Sequence, residues 1–268
     1  MLKDITLGQY FPADTFVHRL DPRTKLLALV FLIVCIFSAK GPLAMGLVVV
    51  TLCLCVAISR IRPSALFKGL KPLIFVICLT ALMNLFFTPG TVLVSFWILR
   101  ITREGLYRSV LMVLRILLLV SGTFLLTYTT SPLHLTDGLE RLMNPLKKLR
   151  FPVHELAMMM SIALRFIPTL IEEADKIMSA QKARGADFEN GNLMQRAKAL
   201  LPILVPLFVS AFRRADELAT AMECRCYHGG EGRTKLHQLR YRWIDTVALV
   251  FCVILFTGVI VAARGFGL

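Results

Sequence analysis

Five stretches of this sequence are almost continuously apolar and approach the length of a bilayer crossing: residues 26–39, 42–58, 72–87, 109–130 and 244–263. A span needs about 20 apolar residues, and backbone in hydrocarbon must satisfy its own polar groups, which a helix does. The pattern predicts an all-α, polytopic membrane protein with about five transmembrane helices. The first two stretches are short, so they draw in polar flanks or meet a thinner bilayer. Lys40, Gly41 and Pro42 lie between them, which predicts a tight turn joining two helices.

The chain is 56% hydrophobic over 268 residues, outside the range of ordinary soluble domains. Its net charge of +14 would suit a nucleic-acid binder, but such a protein does not carry apolar runs of membrane length. No nucleic-acid partner is expected, and the basic residues have meaning through their positions. With the N-terminus inside, Lys3, Arg19, Arg23, Lys25, Arg60, Arg62, Lys68, Lys71 and the 17 basic residues of 131–242 face the cytoplasm. Only Lys40, Arg100, Arg103, Arg108 and Arg264 fall outside, and Arg115 lies within a span. The positive-inside rule thus predicts a multi-pass plasma (inner) membrane protein with its N-terminus and its long loop in the cytoplasm. Residues 1–25 are polar and lead to no small-residue cleavage site, so no cleavable signal peptide is expected.

The expected organisation is an N-terminal segment with four spans over 1–130, cytoplasmic helices over 131–242, and a final span over 243–268. The loop holds two further apolar runs, 156–171 and 199–212. If both crossed the membrane, Lys176, Lys182, Arg184, Arg196 and Lys198 would be exported, against the positive-inside rule. Arg165 interrupts the first run, and Pro202 and Pro206 break the second. Both are expected to lie along or beneath the membrane face.

The loop repeats itself at an offset of 41 residues, with Ala174, Asp175, Ala180 and Arg184 falling on Ala215, Asp216, Ala221 and Arg225. Ile177 and Ser179 meet Leu218 and Thr220. Each copy reads as a helix without internal Gly or Pro, over 169–184 and 207–227, ending in an arginine flanked by small residues. These ends are Ala183, Arg184, Gly185 and Cys224, Arg225, Cys226. Gly185 suits a left-handed cap, whereas a β-carbon at Cys226 disfavours one. The two helices are therefore expected to end differently, the second running on towards Gly229 and Gly230. An arginine near a helix C-terminus also offsets exposed carbonyls, for about 0.3–1 kcal/mol, without any partner. As a pair with small neighbours, the two guanidinium groups have the shape of knobs for sockets on another protein. Ala211, Ala215 and Ala219 form a small-residue ridge on which the two helices could cross closely.

Cys35, Cys53, Cys55, Cys78, Cys224, Cys226 and Cys252 contain no C-x-x-C pair and read as packing residues rather than metal ligands or disulfides. No phosphate-binding G-x-x-x-x-G-K-[ST] loop occurs, and no H-E-x-x-H; Glu172, Glu173 and Asp175 read as a solvated helix face. No catalytic residue, cofactor or metal is expected, and the chain is not expected to be an enzyme.

Several of these residues resemble the transmembrane T component of energy-coupling factor (ECF) importers. Pro12, Asp14, His18, Arg19, Leu20, Asp21, Pro22, Arg23, Thr24 and Lys25 look like that family's opening motif. The run from Ser161 through Ala163, Leu164, Arg165, Phe166, Ile167, Pro168, Glu173, Ala174, Ala180 and Gln181 to Gly185 looks like its first coupling helix. Ala221 to Tyr227, with Gly229, Gly230, Gly232, Arg233 and Thr234, looks like its second, with cysteines in place of the common Ala and Gly beside the arginine. The resemblance implies a complex with two ATP-binding-cassette ATPases and a small membrane substrate-capture (S) subunit, Arg184 and Arg225 docking one on each ATPase. It implies import of a vitamin driven by the partners' ATP hydrolysis.

Two other readings remain open at this stage. A T component of a dedicated cobalt, nickel or biotin system would share these motifs, because substrate contacts belong to the capture subunit. An ion-coupled secondary transporter would normally carry an ionisable residue at membrane depth for proton coupling, and the spans contain no Glu and, of Asp, only Asp245 at the edge of the last. Asn84 reads as an interhelical hydrogen-bonding group, and Arg115 as snorkelling or facing a subunit interface.

Overall fold

A computed structural model describes residues 10–96, 99–186, 188, 192–229 and 239–265. Among them the helices are α1 (Pro22–Ser38), α2 (Pro42–Ser59), α3 (Pro63–Leu70), α4 (Ile74–Phe87), α5 (Arg103–Thr129), α6 (Pro132–Leu142), α7 (Val153–Ala183), α8 (Leu193–Glu223) and α9 (Trp243–Gly265). A short antiparallel pair of strands, β1 (Val92–Phe96) with β2 (Leu99–Thr102), is the one departure from helix among the described elements, and Phe96 pairs with Leu99. The chain divides into two compact units, one formed by Gly8–Arg141 with Leu239–Leu268 and the other spanning Leu142–Gln238.

In the first unit, α1, α2 and α3 each open with a proline at the first turn, where its missing N–H costs nothing and its fixed φ favours the helix. α1 ends at Ser38 and α2 begins at Pro42, with Gly41 at φ +133°, so the Lys40–Gly41–Pro42 signal does mark a tight turn. Cys35, Ile36 and Ala39 of α1 and its end, Met45 and Val48 of α2, Leu118 of α5 and Val259 of α9 form the buried core. Gly69 lets α3 approach α5: a β-carbon there would lie 2.5 Å from the Phe124 ring. Outward-facing side chains such as Phe37, Val50, Phe75, Phe87, Ile254 and Val261 are exposed. An apolar surface on that scale is stable only against hydrocarbon or a partner.

Among the described residues, five helical stretches are long and apolar enough to cross a membrane: α2, the α3–α4 stretch Pro63–Phe87, α5, α7 and α9. Two differ from expectation. The third span starts at Pro63 rather than near 72, because Pro72 sits in a 3-10 turn, Lys71–Leu73, that carries the chain from α3 to α4 without a break. α7 enters the set in place of α1, whose 17 residues reach only about 25 Å.

Part of the polar opening motif, Asp21, Thr24 and Lys25, is buried in a junction within the first unit, while Pro12, Asp14 and Arg19 are exposed. Asp21 caps α1, its carboxylate accepting from the Arg23 N–H at 3.0 Å. The backbone N–H groups of Asp21 and Arg242 both donate to the Asp245 carboxylate, at 2.8 Å each, so the starts of α1 and α9 are tied by one side chain. Lys25 donates to the carbonyls of His18 and Thr129 and to the Thr130 hydroxyl, at 3.2, 2.8 and 3.2 Å, satisfying the C-terminal end of α5. His18 Nε2 donates to the Phe11 carbonyl at 3.1 Å, and burial, with the Lys25 ammonium nearby, holds its pKa below the usual histidine value. Tyr128, also buried, stacks on Phe124 and meets the edge of Phe11.

Two polar residues inside the spans bond within the chain, Asn84 not as expected. Asn84 donates to the Thr80 carbonyl of its own helix at 2.8 Å, so it bonds within α4 and not across helices. Arg115 finds a contact within the chain: it donates to the Ala39 carbonyl at 3.3 Å and lies 5.9 Å from the Phe37 ring centroid, capping the C-terminal end of α1.

Asp245→Ala leaves two buried N–H donors without an acceptor, a loss of about 2–3 kcal/mol. Thermal unfolding of the purified chain in detergent should shift down by several degrees, and an unchanged midpoint would show that the junction does not hold the helix starts together.

Candidate functional site

The two arginines singled out by the repeat lie at the ends of α7 and α8, in the second unit. Both helices have 31 residues, a length of about 46 Å. The apolar runs 156–171 and 199–212, expected to lie along or beneath the membrane face, are continuous with the repeat helices. α7 runs through Pro168, and α8 through Pro202 and Pro206, so these prolines do not break it. Each proline removes a single hydrogen bond from a long ladder. Pro202 and Pro206 are four residues apart on the exposed side of α8, where the adjustment meets no packed neighbour.

The helices join at a polar crossing. Arg214 Nη2 of α8 donates to Glu173 Oε2 of α7 at 2.6 Å, and the Ser210 hydroxyl donates to the other carboxylate oxygen of Glu173. Glu173 is therefore not part of a solvated acidic face; its side chain is 23% exposed. The less exposed stripe of α8 is Ile203, Leu207, Ser210, Ala211, Arg214, Leu218 and Met222. It follows the 3.6-residue period of a packed face. Ala215 and Ala219 are exposed, so the expected alanine ridge is not the crossing face.

Beyond the crossing, both helices end with the same hydrogen bonds. On α7, Gly185 N–H donates to Lys182 O at 3.0 Å and Ala186 N–H to Gln181 O at 3.0 Å. On α8, Cys226 N–H donates to Glu223 O at 2.9 Å and Tyr227 N–H to Met222 O at 3.1 Å. This is the Schellman closure, in which the residue after the cap turns left-handed. Gly185 has φ +88° and Cys226 φ +56°. The expectation that Cys226 would refuse that conformation is overturned: α8 stops at Glu223, and its end matches that of α7. The closure satisfies carbonyls that would otherwise be orphaned, which offsets the roughly 1–2 kcal/mol that a β-carbon costs in the left-handed region.

Arg184 and Arg225 occupy the same cap position in the two closures. Ala183, Arg184, Gly185, Cys224, Arg225 and Cys226 are all exposed. Among the described residues neither guanidinium has a hydrogen-bond or ion-pair partner. Gly230, Gly232, Arg233 and Thr234, part of the second motif, lie outside the described residues. All seven cysteines are free, and among the described residues no three His, Cys, Asp or Glu side chains are grouped to hold a metal.

The family model for CbiQ, described as a cobalt transport protein, matches residues 13–236, from the opening motif through both arginine tips. The chain belongs to the CbiQ family. It is 52% identical over 256 residues, 96% of each chain, to the energy-coupling factor transporter transmembrane protein EcfT of Acidaminococcus fermentans. Proteins of the same description from Clostridium kluyveri and Bacillus subtilis are 51% and 49% identical, each over 257 residues and at least 95% of both chains. This CbiQ-family chain is a multi-pass transmembrane component of an energy-coupling factor transporter, a transporter subunit.

The crossing pair was the part of this CbiQ-family site that sequence inspection passed over, although the 41-residue offset already set Glu173 on Arg214. The matched closures predict opposite responses to one kind of substitution. Cys226→Gly should relieve the left-handed strain and stabilise its closure by about 0.5–1 kcal/mol, while Gly185→Ala should destabilise the other by about 1 kcal/mol. Amide exchange in 222–227 should slow in the first variant, and exchange in 181–186 should quicken in the second. Equal rates in all three proteins would contradict the shared geometry.

Proposed function

We propose that this chain couples two cytoplasmic ATP-binding-cassette ATPases to a small membrane capture (S) subunit that binds a vitamin, with Arg184 and Arg225 each entering a groove on one ATPase. The carrying observation is the pair of exposed arginines, without partners among the described residues, at equivalent caps of two equal helices. A guanidinium is a planar fork of donors suited to bidentate contact with a carboxylate. Its flanks here are small on both helices, so a partner wall can close around it. The relatives' description as the transmembrane protein of an energy-coupling factor transporter supports a subunit that relays energy within an assembly.

In this reading the N-terminus and the helices of 131–242 face the cytoplasm, as the distribution of Lys and Arg favours. ATP-driven closure of the ATPase pair pulls the two caps, and the motion passes along α7 and α8 to the capture subunit, which releases its vitamin inward. The chain supplies no chemistry of its own; it carries force. A dedicated cobalt, nickel or biotin system is the second reading, favoured by the description of the matching family as a cobalt transport protein. Recovery of several different capture proteins with the chain in mild detergent supports the vitamin module, and recovery of a single one supports the dedicated system.

Removing one partner of a buried charged pair costs about 2–5 kcal/mol of binding. Arg184→Ala combined with Arg225→Ala should therefore abolish recovery of both ATPases with the chain while its membrane insertion is unchanged. Recovery at the wild-type yield would refute the docking role. Vesicles holding the whole complex should import substrate with ATP after ion gradients are collapsed, and import that follows the gradient instead would favour a secondary transporter.

A further inference from the structure

One contact between the two helices joins positions that the internal repeat makes equivalent. Adding the 41-residue offset to Glu173 gives Arg214, and these two residues form the ion pair at the crossing. Arg184 and Arg225 are each 11 residues beyond their own member of the pair. At 1.5 Å per residue, each tip thus stands about 16 Å from the crossing. Contact between non-equivalent positions would have given arms of unequal length.

Charge at the crossing departs from the repeat in an informative way. Asp175 matches Asp216, and the tip Arg184 matches Arg225, but Glu172, Glu173 and Lys176 stand opposite Arg213, Arg214 and Glu217 in the alignment. When two copies of one helix cross at equivalent positions, an unchanged charged residue would face its own likeness and repel it. Reversal of sign turns that self-contact into a bond. Both oxygens of Glu173 are held by α8, one by the Arg214 guanidinium and the other by the Ser210 hydroxyl, so the carboxylate is fixed in rotation as well as in place.

From this placement we infer that Glu173 and Arg214, with Ser210, form the fulcrum of the coupling helices: a positioning pair that holds the crossing at one register so that the two arms swing equally. The inference rests on the coupling role proposed above, but its first test does not need the ATPases. Spin labels at Ser179→Cys and Thr220→Cys, equivalent and exposed positions between crossing and tips, report the arm separation in the full chain in lipid nanodiscs, with the native cysteines replaced.

The labelled chain should give one narrow distance distribution. Glu173→Ala should at least double its width with helix content unchanged by circular dichroism, and the exchanged pair Glu173→Arg with Arg214→Glu should restore most of the narrowing. An unchanged width in Glu173→Ala, or an exchange that restores nothing, overturns the fulcrum. In the assembled transporter, Glu173→Ala should retain both ATPases and their ATP hydrolysis while substrate moved per ATP falls at least threefold. Loss of ATPase recovery in that variant, or normal transport per ATP, also overturns it. If the wild-type chain binds no ATPase, the coupling role fails while the distance measurement still decides the fulcrum.

Discussion

Backbone that crosses hydrocarbon has to close its own hydrogen bonds, and in this chain the difficulty falls at the helix ends. Within a helix the ladder is complete, but each terminus leaves N–H or C=O groups without partners. The polar side chains of the first unit gather at those ends. Asp21 and Asp245 accept N–H groups at the starts of α1 and α9, Lys25 covers the last carbonyls of α5, and Arg115 reaches the end of α1. A charged group buried without such bonds would cost several kcal/mol. Bonded in this way, each one fixes where a helix begins or stops, which accounts for Asp21 and Lys25 in the opening motif.

The second unit meets the same requirement with the opposite result. The ends of α7 and α8 are closed through two matching Schellman turns of backbone hydrogen bonds, and among the described residues the arginine at each cap has no hydrogen-bond or ion-pair partner. In the first unit Lys25 and Arg115 are used by the fold; among the described residues the two tip arginines are not. That contrast is the physical basis for assigning the tips to a partner, and it would be absent had Arg184 or Arg225 been spent on its own helix carbonyls. The crossing ion pair lies between these extremes, with one cation and one anion used to set the register of two rods.

Much of this was legible from residue order. The Gly41–Pro42 turn, the left-handed Gly185 and the repeat that pairs Arg184 with Arg225 all follow from rules that act over a few residues. The misses share a cause. Pro202 and Pro206 looked like breaks because local preference is strong, yet one missing hydrogen bond does not end a helix of 31 residues. Cys226 looked unable to turn left-handed because glycine does so at lower cost, yet closing the carbonyls of α8 outweighed the strain. Asn84 looked like a bond across helices, and the nearest acceptor was one turn away on its own helix.

The sequence by itself determined that the chain is helical and membrane-spanning, that part of it is duplicated, and that each copy ends in an arginine, because apolar length, periodicity and small flanking residues are properties of short segments. Only the tertiary structure decided which side chains meet: Glu173 with Arg214, Asp245 with the backbone of Asp21, Arg115 with Ala39. Those partners lie 41, 224 and 76 residues apart. Local preference holds no information about such a separation, and the packing of whole helices selects the pair.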